Sequence, residues 1–267
     1  MAKPAPGWVE VGGARLEVLR IPGAGPHAPT LVFLHEALGS VSIWRDFPQA
    51  LCRRTGAAGL VYSRQGHGQS DPFAGSPVRP ADFHHREAWI VLPELLRKLA
   101  IERPYLVGHS DGATITLLAA ARLPLLGCAA MAPHVFIEEL TLEGILAAER
   151  QLDTLMPALG RHHRDPAAVF AAWRQTWLLP EFRGWNVEAE VREIAVPTLL
   201  IQGEDDQYGS LRQLDRIERA IAAGRPGTPV SRRVMAGVAH VPWKEAPQAT
   251  LDAIAGHLAA CLERTPG

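Results

Sequence analysis

The sequence predicts an α/β fold: a mostly parallel central sheet flanked by helices, with a helical cap inserted past its middle. Three observations carry this. Short apolar runs alternate with helix-length amphipathic stretches, the pattern of a parallel sheet covered on both faces. The first twenty residues read instead as an antiparallel hairpin. From about residue 134 to 186 the strand–helix rhythm gives way to a mainly helical pattern.

Taken in order, Trp8 to Val11, a Gly12-Gly13 turn and the apolar positions Leu16, Val18, Leu19 and Ile21 predict two paired strands. Apolar runs at 30–34, 59–62, 105–107, 125–131, 198–201 and 230–235 predict the remaining strands. Residues 43–54, 86–100 and 113–122 carry apolar side chains at three-to-four spacing and are expected as helices between or after them. In the last stretch Leu251, Ile254, His257, Leu258 and Cys261 fall on one stripe, so the chain is expected to close with an amphipathic helix over 247–262. Met156-Pro157 and the segment from His162 to Pro166 divide the helical insertion. The expected organisation is a core in two parts, 1–133 and 191–267, separated by a cap at 134–190. Surface helices packed directly on the core are the competing reading of that segment.

Composition narrows the function. The 267 residues are 47% hydrophobic and 21% charged, with apolar residues spread evenly, which suits one globular core and excludes extended disorder. Lys and Arg number 27 against 28 Asp and Glu, leaving no global field to attract nucleic acid or anionic lipid. Cys52, Cys128 and Cys261 are odd in number and set among apolar neighbours, as reduced core thiols in a cytoplasmic protein would be. Residues 1–7 hold two prolines and no apolar leader pattern, and no apolar run approaches the roughly 20 residues that cross a bilayer. The expected partner is a small-molecule substrate, without nucleic acid or membrane; monomer and homo-oligomer both stay open.

The chemistry is carried by Tyr105-Leu106-Val107-Gly108-His109-Ser110-Asp111-Gly112-Ala113, an apolar strand running through G-x-S-x-G into a helix. Such a turn pushes a serine Oγ out of the sheet beside the free N–H groups of a helix start, and the small residues at 108 and 112 let it close. A glycine-rich bend with a helix-capping serine competes with this. A serine hydroxyl needs a base, and the base needs an orienting acid. His240, in Gly237-Val238-Ala239-His240-Val241-Pro242, follows the last predicted strand and reaches the carboxyl edge of the sheet, where such folds place their sites. The loop after the preceding strand offers Glu204, Asp205 and Asp206, giving the order Ser, acid, His.

Four motifs in this order resemble the α/β-hydrolase superfamily over nearly the whole chain, and imply the α/β-hydrolase fold. Leu34-His35-Glu36-Ala37-Leu38-Gly39-Ser40 is similar to its His-Gly oxyanion loop, and Arg64-Gln65-Gly66-His67-Gly68-Gln69-Ser70 to its Arg-x-Gly-x-Gly-x-Ser stretch. The elbow at Ser110 and the acid and base loops complete the set. The resemblance implies Asp206, three residues after Gly203, as the acid, and backbone N–H groups of Ala37 and Asp111 as the oxyanion hole. Glu36 stands where the family commonly has glycine; it is expected to face solvent or pair with an arginine, with a part in catalysis or substrate binding as the alternative.

The capped form resembles bacterial carboxylesterases, lactonases and carbon–carbon bond hydrolases. It implies hydrolysis of an ester, thioester or lactone through an acyl-enzyme, without a cofactor; carbon–carbon cleavage or elimination by the same triad and a ligand-binding protein on this fold are the alternatives. Trp173, Trp177, Phe182 and Trp185 concentrate aromatic residues in the cap and are expected at the substrate pocket, against the competing reading that they are packing. His134 is a candidate for the rim. His84-His85 and His162-His163 lack the spacing and carboxylates of a ligand cluster, so no metal is expected.

Overall fold

The computed structural model describes residues 4–264; residues 1–3, part of the opening segment read above as carrying no leader, and 265–267 lie outside them. Eight strands, β1 (Ala5–Val11), β2 (Ala14–Ile21), β3 (Thr30–Leu34), β4 (Ala58–Tyr62), β5 (Tyr105–His109), β6 (Gly127–Met131), β7 (Thr198–Gly203) and β8 (Val230–Met235), form one sheet in the order β1-β2-β4-β3-β5-β6-β7-β8. β1 pairs antiparallel with β2 and β2 with β4, and every later pairing is parallel. From β3 the chain crosses to one side to make β4 and to the other to make β5. Open α/β sheets put their ligand crevice at the carboxyl ends of the strands flanking such a reversal.

Alternation along the strands sorts the core into two layers. Val32, Leu34, Leu60, Leu106 and Leu200 belong to one buried cluster, and their neighbours Leu31, Phe33, Val61, Val107 and Ile201 to the other. A strand whose successive side chains meet different helical layers is apolar throughout, which is why these strands read as runs.

The helices are α1 (Phe47–Thr55), α2 (Phe83–Arg86), α3 (Leu92–Lys98), α4 (Asp111–Ala120), α5 (Glu139–Glu149), α6 (Leu152–Gly160), α7 (Pro166–Trp177), α8 (Glu188–Val191), α9 (Arg212–Gly224), α10 (Pro242–Glu245) and α11 (Pro247–Glu263). The helix expected from residue 43 begins only at Phe47, because Pro48 has no N–H and fits only the first turn. The helix expected over 86–100 starts earlier, at Phe83, and is broken by a π turn, Glu87–Val91, just before Pro93. Helix α9 is absent from the sequence expectations, although Leu214, Ile217 and Ile221 are buried at three-to-four spacing. Among the described residues no helix is long and apolar enough to cross a membrane.

Helices α5 to α8 and a 3₁₀ turn, Pro180–Gly184, lie between β6 and β7. The two ends of this insertion meet: Phe136 bridges Asn186, and the Val187 N–H donates to the Val135 carbonyl at 2.9 Å. α5 is docked on the loop after β7, where Thr141 Oγ1 donates to the Tyr208 carbonyl at 2.6 Å. A side chain at Gly144 would sit 2.7 Å from the Tyr208 ring, so the close approach requires glycine there.

Candidate active site

Four loops at the carboxyl edge converge. The first is the turn from β5 into α4, where Ser110 has φ 52° and ψ −118°, a conformation that costs a non-glycine residue about 1–3 kcal/mol. It is held because the Ser110 N–H donates to the Met131 carbonyl at 2.9 Å and the Ser110 carbonyl accepts from Ala113 and Thr114. A Cβ at Gly108 would lie 2.2 Å from the Gly112 oxygen, and one at Gly112 2.0 Å from the Leu34 oxygen. Both small residues are therefore steric necessities of the turn.

Ser110 Oγ lies 3.0 Å from His240 Nε2, and His240 Nδ1 lies 2.8 and 2.9 Å from the two Asp206 oxygens. Such contacts place the proton on Nδ1 and leave Nε2 to accept from the serine. The Asp206 carboxylate also accepts from the N–H groups of Tyr208 and Gly209 and from Gln202 Nε2, at 2.9, 3.3 and 3.2 Å. Burial alone would raise its pKa; the adjacent His240 and these donors outweigh it and hold the carboxyl below its ordinary value. The acid and base loops approach closely because a Cβ on Gly203 would meet the Val238 carbonyl at 2.0 Å. Glu245 fixes the base loop by accepting the N–H groups of Ala239 and Val241, on either side of His240, at 2.7 and 2.9 Å. His109 Nε2–H adds a bond to the His240 carbonyl at 2.7 Å. Asp205, by contrast, is exposed and makes no side-chain bond among the described residues.

Among the described residues no acceptor takes the N–H of Ala37 or of Asp111, so both donors remain open beside Ser110. The same buried guanidinium serves both. Arg64 donates to the carbonyls of His35 and Glu36 at 2.6 and 3.0 Å, and lies 3.6 Å from the Asp111 carboxylate. The Glu36 carbonyl also accepts from His35 Nδ1 at 2.7 Å, the tautomer being set by the Arg64 N–H that donates to Nε2. His84 Nε2 holds the other Asp111 oxygen at 3.1 Å. Burial works to raise the Asp111 carboxyl, and His84 and Arg64 outweigh it and lower it. Arg64 and His84 were not expected to have these roles; Arg64 is signalled only by its motif, and His84 by nothing local, since its partner is 27 residues away.

A cavity of about 170 Å³ opens over Ser110 and His240. Its wall includes Glu36, His134, Thr141, Ile145, Trp173 and Trp177, and Tyr208 completes it. Two of the expected aromatics are elsewhere. Phe182 is fully buried and stacks on Trp185 at 5.4 Å, and that pair packs on Phe83, His84 and Trp177. Phe182 and Trp185 are packing, set against the helix carrying His84 rather than in the wall of the cavity. Trp177 takes part in both, touching Phe182 at 5.2 Å and lining the cavity. His134 lines the cavity wall but is only 2% exposed, its carbonyl accepting from Thr114 Oγ1 and its ring 5.9 Å from that of His240. Burial lowers its pKa to about 4, so the ring is neutral at pH 7.

Glu36 departs in part from expectation. Its carboxylate does not pair with an arginine, only its backbone carbonyl meeting Arg64, and the partly exposed side chain lines the cavity with Oε2 3.4 Å from His109 Nδ1. That nitrogen accepts from Trp243 Nε1 at 3.3 Å, and Oε2 is buried without a hydrogen bond. Burial would raise the Glu36 carboxyl, but neighbouring His109 and Arg64 keep it below its ordinary value. His84 and His85 each face a carboxylate, Asp111 and Glu190, and among the described residues no group of three or more His, Cys, Asp or Glu side chains is placed to hold a metal.

An eight-stranded sheet with a nucleophile turn, an acid loop and a histidine loop at its carboxyl edge defines the α/β-hydrolase class, and the comparisons agree. The family model described as the alpha/beta hydrolase family matches residues 21–253, so this chain belongs to that family. It is 35% identical to the sn-1-specific diacylglycerol lipase ABHD11 of Danio rerio over 102 residues, 38% of this chain and 30% of that protein; the match thus spans under a third of that relative. Among solved structures it is similar to a membrane phospholipase A described as a bacterial virulence factor, with TM-score 0.78, 19% identity and coverage of 97% of this chain and 86% of that one. It is likewise similar to the enol-lactonase of Burkholderia xenovorans LB400, with TM-score 0.71, 18% identity and coverage of 95% and 100%. At such identities these structures share the fold alone.

Proposed function

We propose that this protein is a serine hydrolase that cleaves a carboxylic ester, thioester or lactone of a small, partly apolar substrate through an acyl-enzyme. The observation that carries the reading is the hydrogen-bonded line from Ser110 Oγ through His240 to Asp206, with the Ala37 and Asp111 N–H groups open beside the serine. Ser110 Oγ attacks the carbonyl carbon while His240 Nε2 takes its proton. The two N–H groups receive the developing oxyanion, and His240 returns the proton to the leaving oxygen or sulfur. Water then repeats the sequence on the acyl-enzyme. Asp206 stays ionised and stabilises the imidazolium.

The helical segment between β6 and β7 serves in this reading as a cap that selects substrates, since Thr141, Ile145, Trp173 and Trp177 come from it. The sn-1-specific diacylglycerol lipase to which part of the chain is similar supports acyl-oxygen chemistry. Burial raises the thiols of Cys52, Cys128 and Cys261 to about 12, 12 and 11, which suits unreactive core thiols and supports a cytoplasmic setting.

The test is labelling by a fluorophosphonate together with turnover of short p-nitrophenyl esters. Both should occur in the wild type and be lost in Ser110→Ala, with residual turnover below roughly one part in 10³. Labelling without turnover would instead indicate a ligand-binding protein.

A further inference from the structure

Among the described residues, Glu36 is the one formally charged side chain in the wall of the cavity, and no lysine or arginine lines it. The nearest guanidinium, Arg64, is turned away onto backbone carbonyls and Asp111. His134 adds no positive charge at pH 7. The polar side chain nearest Glu36 Oε2 is His109, with Nδ1 at 3.4 Å. An indole N–H can only donate, so the bond from Trp243 Nε1 requires a lone pair on His109 Nδ1, and the His240 carbonyl requires the proton on Nε2. Of the carboxylate oxygens, Oε2 is buried without a hydrogen bond among the described residues.

A carboxylate next to the Ala37 N–H opposes the negative charge that the oxyanion hole exists to stabilise. The conflict is removed if the substrate supplies the missing positive charge. The same cavity is lined by Trp173 and Tyr208, edge to face with centroids 6.0 Å apart, neither fully buried. Aromatic faces attract cations through the ring quadrupole, most strongly where water is displaced. A carboxylate and two aromatic rings around one apolar cavity form a cation-recognising wall; a hydroxyl group would meet the hydrogen-bonding need of Glu36 but leave its charge uncompensated.

We propose that the pocket beside Ser110 selects acyl substrates carrying a cationic amine, held by the Glu36 carboxylate and the rings of Trp173 and Tyr208. This rests on the serine-hydrolase reading and names the substrate class of the same site. The test compares kcat/KM within pairs that differ only in charge: p-nitrophenyl 6-aminohexanoate against p-nitrophenyl heptanoate, and the butyrate ester of choline against that of 3,3-dimethylbutanol. In at least one pair the cationic member should be favoured by about tenfold or more. Glu36→Gln should bring that ratio close to one, and Trp173→Leu should lower it about threefold. Cleavage of the neutral esters with no cationic preference in either pair would overturn the proposal and leave the hydrolase reading standing, whether or not the variants fold. Absence of both ester cleavage and fluorophosphonate labelling of Ser110 would overturn the two together.

Discussion

The guanidinium of Arg64 donates to the carbonyl oxygen of Glu36, which is the far end of the peptide unit whose N–H belongs to Ala37. A donor on that carbonyl fixes the plane of the peptide and polarises its N–H toward the Ser110 site. Because Arg64 reaches the Asp111 side chain as well, one buried charge orients both residues expected to bind the oxyanion.

Replacing Arg64 by lysine should therefore damage the chemical step. A compact ammonium cannot span the His35 and Glu36 carbonyls and face Asp111 as the planar fork does. For a small activated ester, kcat should fall at least about tenfold with KM little changed. An unchanged kcat in a folded Arg64→Lys protein would show that the oxyanion peptide is held without it.

The Ser110 backbone makes a separate claim on stability. At φ 52° and ψ −118° a glycine is unstrained and an alanine is not. Ser110→Gly should unfold at higher denaturant than Ser110→Ala by about 1 kcal/mol, with both inactive. Equal stabilities would mean that the turn relaxes when the serine is removed.

Asp206 and Asp205 are neighbours with different surroundings. Only Asp206 meets His240 Nδ1, whereas Asp205 contributes its N–H to the Val238 carbonyl and leaves its side chain in solvent. Asp206→Asn should reduce kcat by roughly 10⁴, and Asp205→Asn should change it by about twofold at most. The opposite ranking would move the acid by one residue.

The cap aromatics divide into wall and packing, and mutation should separate them. Trp173→Ala opens the cavity and should alter chain-length preference among p-nitrophenyl esters more than it alters the melting temperature. Phe182→Ala leaves a void among Phe83, Trp177 and Trp185 and should cost about 3–5 kcal/mol while keeping the substrate ranking. A melt and an ester panel on both variants decide this.

His134 contributes a pH dependence whose sign follows from burial. Its pKa falls from 6.5 in the unfolded chain to about 4 in the folded protein. Between these values the unfolded chain is protonated and the native state is not, so stability is lost as pH falls from about 6.5 toward 4. In urea titrations, the loss of stability between pH 7 and pH 4.5 should be about 2 kcal/mol smaller in His134→Phe. An unaltered loss would mean that the native ring takes up its proton as readily as the unfolded one.

The sequence by itself determined the sheet, the nucleophile turn and the order of the catalytic loops. Each is encoded locally: apolar runs by burial on both faces, the elbow by the glycines at 108 and 112 that close contacts demand, and the acid loop by its place after an apolar strand, with the choice of Asp206 among its three carboxylates implied by the family resemblance. Only the tertiary structure decided which side chains share a cavity. Phe182 and Trp185 are as aromatic as Trp173, and their burial against Phe83 and His84 depends on how the cap sits on a helix about 100 residues earlier in the chain. The role of Arg64, the pairing of His84 with Asp111 and the inward carboxylate of Glu36 likewise arise from contacts between distant segments. Periodicity records which face of an element is buried; what lies against that face depends on the packing of the whole chain.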